Sequence, residues 1–311
     1  MRIVFFSYRG TIGARCLQWL LQQPQAEVLA VVTWPDYVHP EIKIAVKEVL
    51  YDAHLPLYQP RDVNSSAFVA LLHSLRPDLF VSMYFGKLFK APLLSVPPQG
   101  CVNIHNSLLP RYRGQAPNIW AVANGDTVSG QTMHYLDEGM DTGDIIARKE
   151  IPVDPADTGY TLGAKLEDLG VELFKEAFPA VLNGTAGRQK QDDSQATVCR
   201  APRPHDARID WTRPAPAIAN FVRAFTRPYM GAFTRLGGLT VRVWSSRPAP
   251  ELPWQADAAP GDVAGVEAEG PIVRCGQGHL ILTDFEVEGI QDRSSALSLL
   301  SAGRRSCASF A

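Results

Sequence analysis

The chain has 311 residues, of which 46% are apolar and 20% are charged, and its net charge is −2 from 30 basic and 32 acidic residues. These values are typical of a globular protein with a large core, and near-neutral charge argues against a chain whose main role is to grip a polyanion. Five cysteines without Cys-x-x-Cys spacing predict free thiols in a reducing, cytoplasmic compartment, and no segment is long and apolar enough to predict a membrane span.

Strand and helix signals alternate along the first half of the chain. Short apolar runs predict strands at 3–7, 27–33, 79–83 and 102–105. Helices are predicted from the turn at Gly10 and Gly13 to Leu20, and over 45–53 and 65–75. This alternation predicts an α/β fold with a doubly wound, mostly parallel, Rossmann-like sheet. Two more strands, 131–136 and 145–153, are predicted to flank a loop around Asp141, and a long amphipathic helix follows over 161–182.

The second half of the chain has a different character. Residues 187–207 are polar and carry prolines, which predicts a linker between a domain over 1–186 and a smaller one over 208–311. The smaller domain is predicted to be β-rich and OB-like. Its predicted elements are a helix over 215–225 and strands over 232–235, 239–244, 271–274 and 280–287.

The end of the fourth predicted strand carries the groups that point to chemistry. Asn103 and His105 are two residues apart, so on a strand they project to the same face. A strand's carboxyl end is where open α/β sheets bind ligands. Acyl transfer to an amine needs a donor to a developing oxyanion and a base for the amine proton. Asn103 and His105 supply such groups, and Asp141 is predicted to orient the imidazole.

Two motifs around these residues resemble a known family. They are HNSLLPRYRG at 105–114 and MDTG at 140–143, which are similar to the signatures of the formyltransferases that use N10-formyltetrahydrofolate. The resemblance runs through nearly the whole chain and implies a catalytic trio of Asn103, His105 and Asp141. It also implies that the folate is the formyl donor and that no metal is required. The folate is expected to lie against the segment that follows the third predicted strand. The residues expected to hold the folate are Met83, Phe85, Gly86, Lys87, Leu88 and Asp144.

The acceptor is predicted from finer similarities. The chain most resembles formyltransferases of sugar nucleotides, which implies a small UDP- or dTDP-linked amino sugar as the acceptor. This resemblance is compatible with a homodimer. Neither a membrane nor a nucleic acid is expected as a partner. The segment 34–43, where a tRNA-acting member is expected to be basic, has one lysine and two acidic residues. Gln115 stands where the sugar-acting relative has arginine. The predicted acceptor contacts are Tyr8, Arg9, Arg113, Gln115 and Arg223.

Other functions stay open at this point. The acceptor could instead be methionyl-tRNA, hydroxyornithine or an amino acid on a carrier protein, because the chemistry is the same. The Gly10-x-x-Gly13 turn after the first strand could belong to a nicotinamide-binding oxidoreductase, although the three-glycine fingerprint and its acidic residue are absent from the sequence. A further alternative is a folate sensor without catalytic activity, but such a protein would have no need for the paired His105 and Asp141.

Overall fold

A computed structural model of the protein describes residues 1–8, 10–35, 46–236, 238–250 and 259–303. The chain divides into two compact units that alternate along the sequence. The first unit comprises Met1–Pro117, Val128–Pro152 and Ala164–Arg200, and the second comprises Asn118–Thr127, Val153–Gly163 and Ala201–Ala311. In the part of the chain that the structure describes, no helix has the length and apolarity needed to cross a membrane.

The first unit is built on a seven-stranded sheet. Its strands are β1 Arg2–Ser7, β2 Glu27–Val32, β3 Leu57–Tyr58, β4 Leu79–Met83, β5 Cys101–His105, β7 Val128–Tyr135 and β8 Ile145–Pro152, in the order β3-β2-β1-β4-β5-β7-β8. Neighbours from β3 to β5 pair in parallel, whereas β7 and β8 pair antiparallel. The predicted Rossmann-like class is confirmed. A short parallel pair, β6 Arg113–Gly114 and β9 Val198–Cys199, holds part of the predicted linker against the first unit.

Continuous apolar runs explain the central strands. All five residues of β4 and of β5 are buried, as expected for parallel strands covered on both faces. Phe6 of β1 packs edge-on against Phe80 and Phe85, with ring centroids 5.0 and 5.4 Å apart, inside the main core. The helices are α1 Ile12–Leu20, α2 Val46–Ala53, α3 Ser66–Ser74, α4 Ala91–Leu94, α5 Pro117–Asn124 and α6 Gly159–Leu182. The helices α4 and α5 have no predicted counterpart; α4 has only four residues, too few to show a helical period.

The second unit contains a five-stranded antiparallel sheet. Its elements are α7 Ala215–Phe225, β10 Ala232–Leu236, β11 Leu239–Pro248, β12 Val263–Val266, β13 Pro271–Arg274, β14 His279–Val287 and α8 Arg293–Gly303, with strand order β10-β11-β14-β13-β12. The predicted β-rich class is confirmed, and α7 and β13 have the predicted bounds. The sequence analysis missed β12, which has only four residues and contains Gly265, and α8, whose serines weaken its apolar stripe.

Candidate active site

Strand register places three polar side chains on one face of the sheet. β5 and β7 run antiparallel, with Asn103 opposite His134 and His105 opposite Thr132. Opposed residues of antiparallel strands project to the same side. Asn103, His105 and His134 are buried, with 9%, 7% and 0% of their surfaces exposed. The face that carries the two predicted residues therefore carries a second imidazole.

Asp141 reaches this face from the loop between β7 and β8. Its carboxylate Oδ2 accepts a hydrogen bond from the Gly114 main-chain N–H at 2.8 Å. Its carbonyl and that of Gly143 both accept from the Gln191 side-chain amide at 2.8 Å. Gly143 allows the loop to lie close to β7, because a Cβ atom there would be 1.9 Å from the Tyr135 carbonyl oxygen. The loop is thus held on both sides of Asp141.

The four side chains form one connected cluster. His105 Nδ1 lies 3.5 Å from Asp141 Oδ2, and His134 Nε2 lies 3.6 Å from Asp141 Oδ1. Asn103 Nδ2 lies 3.1 Å from His134 Nε2. The predicted trio of Asn103, His105 and Asp141 therefore meets, and we call these residues together with His134 the active-site cluster. Their catalytic roles stay a prediction.

The hydrogen bonds around His105 define its chemistry. Its Nε2 lies 2.8 Å from the Tyr112 carbonyl oxygen, which can only accept, so Nε2 carries a proton. The Tyr112 carbonyl, and not Asp141 as the sequence suggested, is therefore the closer partner that selects the tautomer. Nδ1 is left 3.5 Å from the Asp141 carboxylate, beyond a normal hydrogen bond. Nδ1 is thus the ring atom that can exchange a proton with a bound substrate.

The sequence analysis missed His134. Burial lowers the pKa of this imidazole to about 4, although the nearby Asp141 carboxylate opposes the shift. The sequence indicates His134 only through the polar residues Thr132 and His134 at alternate positions of β7. That alternation becomes informative only when β7 is known to pair with β5, because the register puts His134 beside Asn103.

The segment expected to hold the folate follows β4. Met83 and Phe85 are buried, whereas Gly86, Lys87 and Leu88 are exposed. Among the described residues, none accepts a hydrogen bond from the main-chain N–H groups of these last three. Gly86 has φ +71°, and a Cβ there would meet only the Trp34 ring, at 3.8 Å. Exposed N–H groups and a glycine suit a segment that binds a flat, polar ligand through its main chain.

Trp34 fastens this segment. Its Nε1–H donates to the Phe85 carbonyl at 2.8 Å, and the Lys87 ammonium lies 4.2 Å from the ring centroid. Trp34 also contacts Tyr8, whose ring is stacked on the indole with centroids 4.3 Å apart. Tyr8, predicted to contact the acceptor, is buried in this stack. The sequence analysis did not single out Trp34.

The remaining predicted site residues that the structure describes have different surroundings. Arg113 is buried and donates to the Gln191 side-chain amide oxygen Oε1 and to the Asp193 carboxylate. Gln115 is exposed. Arg223 lies in the second unit, where it donates to Asn220 and to the Asp157 main-chain carbonyl. Asp144 is paired with Lys190 at 3.0 Å, and Arg9 lies outside the described residues. The roles proposed for these residues stay a prediction.

Within the described ranges, no group of three or more histidine, cysteine, aspartate or glutamate side chains is arranged to hold a metal ion.

Comparison with known proteins identifies the family. Residues 1–178 match the Formyl transferase family, and residues 203–298 match the Formyl transferase, C-terminal domain. A methionyl-tRNA formyltransferase of Geobacter metallireducens is 38% identical over 96% of this chain and 95% of its own length.

Two solved structures share the fold. The sugar 3N-formyl transferase WlaRD, determined with dTDP and 5-N-formyl-THF, superposes with a TM-score of 0.67 over 93% of this chain and 99% of its own, at 19% identity. An N-formyltransferase of Helicobacter canadensis, in complex with folinic acid and dTDP-3-aminofucose, gives a TM-score of 0.66 over 91% and 99%, also at 19% identity. The family expected from the two sequence motifs is confirmed: the chain belongs to the formyl transferase family.

Proposed function

We propose that this formyltransferase moves the formyl group of N10-formyltetrahydrofolate to the amino group of methionyl-tRNA. The observation that carries the proposal is the 38% identity to a methionyl-tRNA formyltransferase over nearly the full length of both chains. The sugar-acting structures, at 19% identity, support the fold alone. This reverses the order of acceptors that the sequence motifs favoured.

A basic stretch at the start of the carboxy-terminal region supports a polyanionic acceptor, although the whole of 203–311 has 12 arginines and 11 acidic residues and a net charge of only +1. Although the whole chain has a net charge of −2, the stretch 203–250 has eight arginines and two aspartates, which gives +6 without histidine. The arginines are Arg203, Arg208, Arg213, Arg223, Arg227, Arg235, Arg242 and Arg247. Arg203, Arg208 and Arg235 are exposed, and so are Arg227 and Arg247, which are paired with carboxylates. Exposed arginines of this kind are the groups that neutralise phosphates.

The active-site cluster would carry the chemistry. The donor supplies a formyl group on an amine nitrogen that can leave with a proton. When the acceptor nitrogen bonds to the formyl carbon, negative charge develops on the formyl oxygen, and the Asn103 amide N–H would donate to it. His105 Nδ1 would take the proton that the acceptor nitrogen loses. As the old carbon–nitrogen bond breaks, the same proton would be returned to the folate nitrogen, so that charge and atoms balance.

Asp141 would support this proton transfer electrostatically. A proton on Nδ1 gives His105 a positive charge 3.5 Å from the Asp141 carboxylate. Because both groups are largely buried, their attraction is less screened than at the surface. The bond from Gly114 N–H leaves the carboxylate fixed while His105 changes its protonation.

A panel of acceptors tests the proposal. The full-length protein would be incubated with N10-formyltetrahydrofolate and, separately, with charged initiator methionyl-tRNA, UDP- and dTDP-linked amino sugars, and hydroxyornithine. Release of tetrahydrofolate and formation of the formylated acceptor would be measured. We expect turnover with methionyl-tRNA; turnover with another acceptor alone, or with none, would contradict the proposal.

Salt dependence sharpens the test. The double substitution Arg208→Gln and Arg235→Gln should lower kcat/KM for methionyl-tRNA. It should also reduce the slope of log kcat/KM against log salt concentration by about one for each phosphate contact that is lost. The matched control is Arg247→Gln, since Arg247 is already bound to Glu269 at 2.8 Å. Equal effects of both substitutions would contradict a phosphate-binding role for the exposed pair.

An amino-sugar nucleotide is the second candidate. The observation that favours it is the composition of residues 34–43, with one lysine and two acidic residues where a tRNA-acting member is expected to be basic. Turnover of an amino-sugar nucleotide, with methionyl-tRNA unused, would establish it.

A further inference from the structure

We propose that His134 is a positioning residue that locks the Asn103 carboxamide with one N–H facing the reacting formyl group. The inference rests on the proposed formyl transfer and adds a fourth side chain to the trio that the two sequence motifs indicated. His134 would act through Asn103 and would not itself touch the substrates.

The argument begins with the protonation of the imidazole. His134 Nδ1 lies 2.8 Å from the Tyr135 carbonyl oxygen, which can only accept, so Nδ1 carries a proton. A neutral ring then has a bare Nε2, which is an acceptor. The ring is fully buried, and burial holds its pKa at about 4, so it is neutral at physiological pH.

The bare Nε2 determines the orientation of Asn103. The carboxamide atom that faces it at 3.1 Å must be the nitrogen, since an oxygen there would set two acceptors against each other. Asp141 Oδ1, 3.6 Å from the same Nε2, is another acceptor and cannot satisfy it. The Asn103 amide is therefore the donor that Nε2 requires. One amide N–H is used in this way, and the second is left for the developing oxyanion.

Strand pairing fixes the hydrogen bond between His134 and Asn103 in place. Asn103 and His134 are directly opposite in the β5–β7 register, so main-chain hydrogen bonds fix the separation of their Cα atoms. The charged and titratable groups that act on His134 are Asp141, His105 and Asp137. Of the described residues, His134 Nε2 is the group within 3.1 Å of the Asn103 amide nitrogen. Loss of His134 would therefore let that amide rotate away from the catalytic orientation.

Two substitutions separate a hydrogen-bond role from a packing role. His134→Gln keeps a side-chain acceptor in reach of Asn103, whereas His134→Leu fills the space without one. Loss of an oxyanion donor costs about 100- to 1000-fold in rate, so a misoriented donor should lower kcat of His134→Leu by about 10- to 100-fold, with KM for the folate little changed. We expect His134→Gln to recover most of kcat. If His134 only fills the core, the apolar leucine will be at least as active as glutamine, and the proposal fails.

A double-mutant cycle tests whether the effect passes through Asn103. In an Asn103→Ala background, His134→Leu should cause no further loss of kcat, because there is no amide left to orient. A loss as large as in the wild-type background would show that His134 acts by another route, and would overturn the proposal.

Nitrogen NMR provides a test that needs no catalysis. In the protein labelled with ¹⁵N-histidine, the signals missing from His134→Gln identify His134. We expect a protonated Nδ1 and a bare Nε2. A protonated Nε2 would overturn the proposal whatever the enzyme's acceptor. Conversely, absence of wild-type turnover would defeat the proposed function while leaving the tautomer result readable, so the two failures are distinguishable.

Discussion

The active-site cluster and Arg113 place polar groups in the interior and Arg223 is half-buried, but the hydrogen bonds of these groups are distributed differently. His105 keeps Nδ1 beyond hydrogen-bonding distance of Asp141, so that ring atom remains available. Arg113 instead donates through Nε and Nη2 to Gln191 and Asp193, and Arg223 is bound to Asn220 and a main-chain carbonyl. Burial alone therefore does not mark a catalytic group. The informative feature is a buried polar atom that still has capacity to bind a substrate.

The largest effect is expected from removing such an atom. His105→Ala deletes the group whose Nδ1 would exchange the acceptor proton, and kcat should fall by about 100- to 1000-fold or more. Folate affinity should change little, because the segment around Gly86 is untouched. His73→Ala, an exposed histidine on α3, is the matched control. Near-normal turnover of His105→Ala would remove this residue from the proposed mechanism.

The buried neutral His134 predicts a pH-dependent difference in stability. Its pKa is about 4 in the folded protein and about 6.5 in the unfolded chain, so the unfolded state binds more protons between these values. The contribution is therefore present above about pH 6.5 and is lost as the pH falls towards 4, by up to about 3 kcal/mol. His134→Leu lacks this titration. Its free energy of unfolding, measured by denaturant titration, should fall less than that of the wild type between pH 7 and pH 4.5; parallel profiles would contradict the neutral imidazole.

The way each site residue is positioned explains which of them could be predicted from the sequence. Asn103 and His105 are two residues apart on a strand with a clear apolar pattern, so their shared face follows from local geometry. His134 needed the register of β7 against β5, which is a contact between distant parts of the chain. Gln191 lies in the segment interpreted as a linker, yet it holds the Asp141 loop. Nothing local to a glutamine reveals such a partner.

The acceptor contacts proposed for the arginines stay a prediction, because the sequence alone says little about where an arginine side chain binds. A long guanidinium side chain can reach many acceptors, and the sequence does not say which one it meets first. Arg113 lies within the family motif at 105–114, but its donors are taken by Gln191 and Asp193, 78 and 80 residues away. Short, strand-borne side chains such as Asn103 have far fewer alternatives. Predictions from sequence were therefore most useful for the strands and for the residues fixed on them.

A smaller effect should show whether Arg113 is structural. Arg113→Met leaves the Gln191 side-chain oxygen Oε1 without the donors of Arg113, which should lower the free energy of unfolding by about 1–3 kcal/mol. Because Gln191 also holds the Asp141 loop, kcat should fall with stability, while KM for the acceptor changes less. In a Gln191→Leu background the same substitution should cost less. A rise in acceptor KM alone, without loss of stability, would instead restore the predicted contact with a diphosphate.

The smallest effect is expected at Trp34, which lies outside the cluster but supports the segment expected to bind folate. Trp34→Phe keeps an aromatic ring beside Tyr8 and removes the Nε1–H that donates to the Phe85 carbonyl. Loss of one hydrogen bond of about 1 kcal/mol should raise KM for the folate about fivefold, with a smaller change in kcat. Trp19→Phe is the matched control, since Trp19 packs on Phe174 and Phe178. That control should lower stability without raising KM for the folate. If the two variants shift KM equally, Trp34 contributes only general packing; if Trp34→Phe alone raises it, the exposed main chain at 86–88 depends on this indole for its shape.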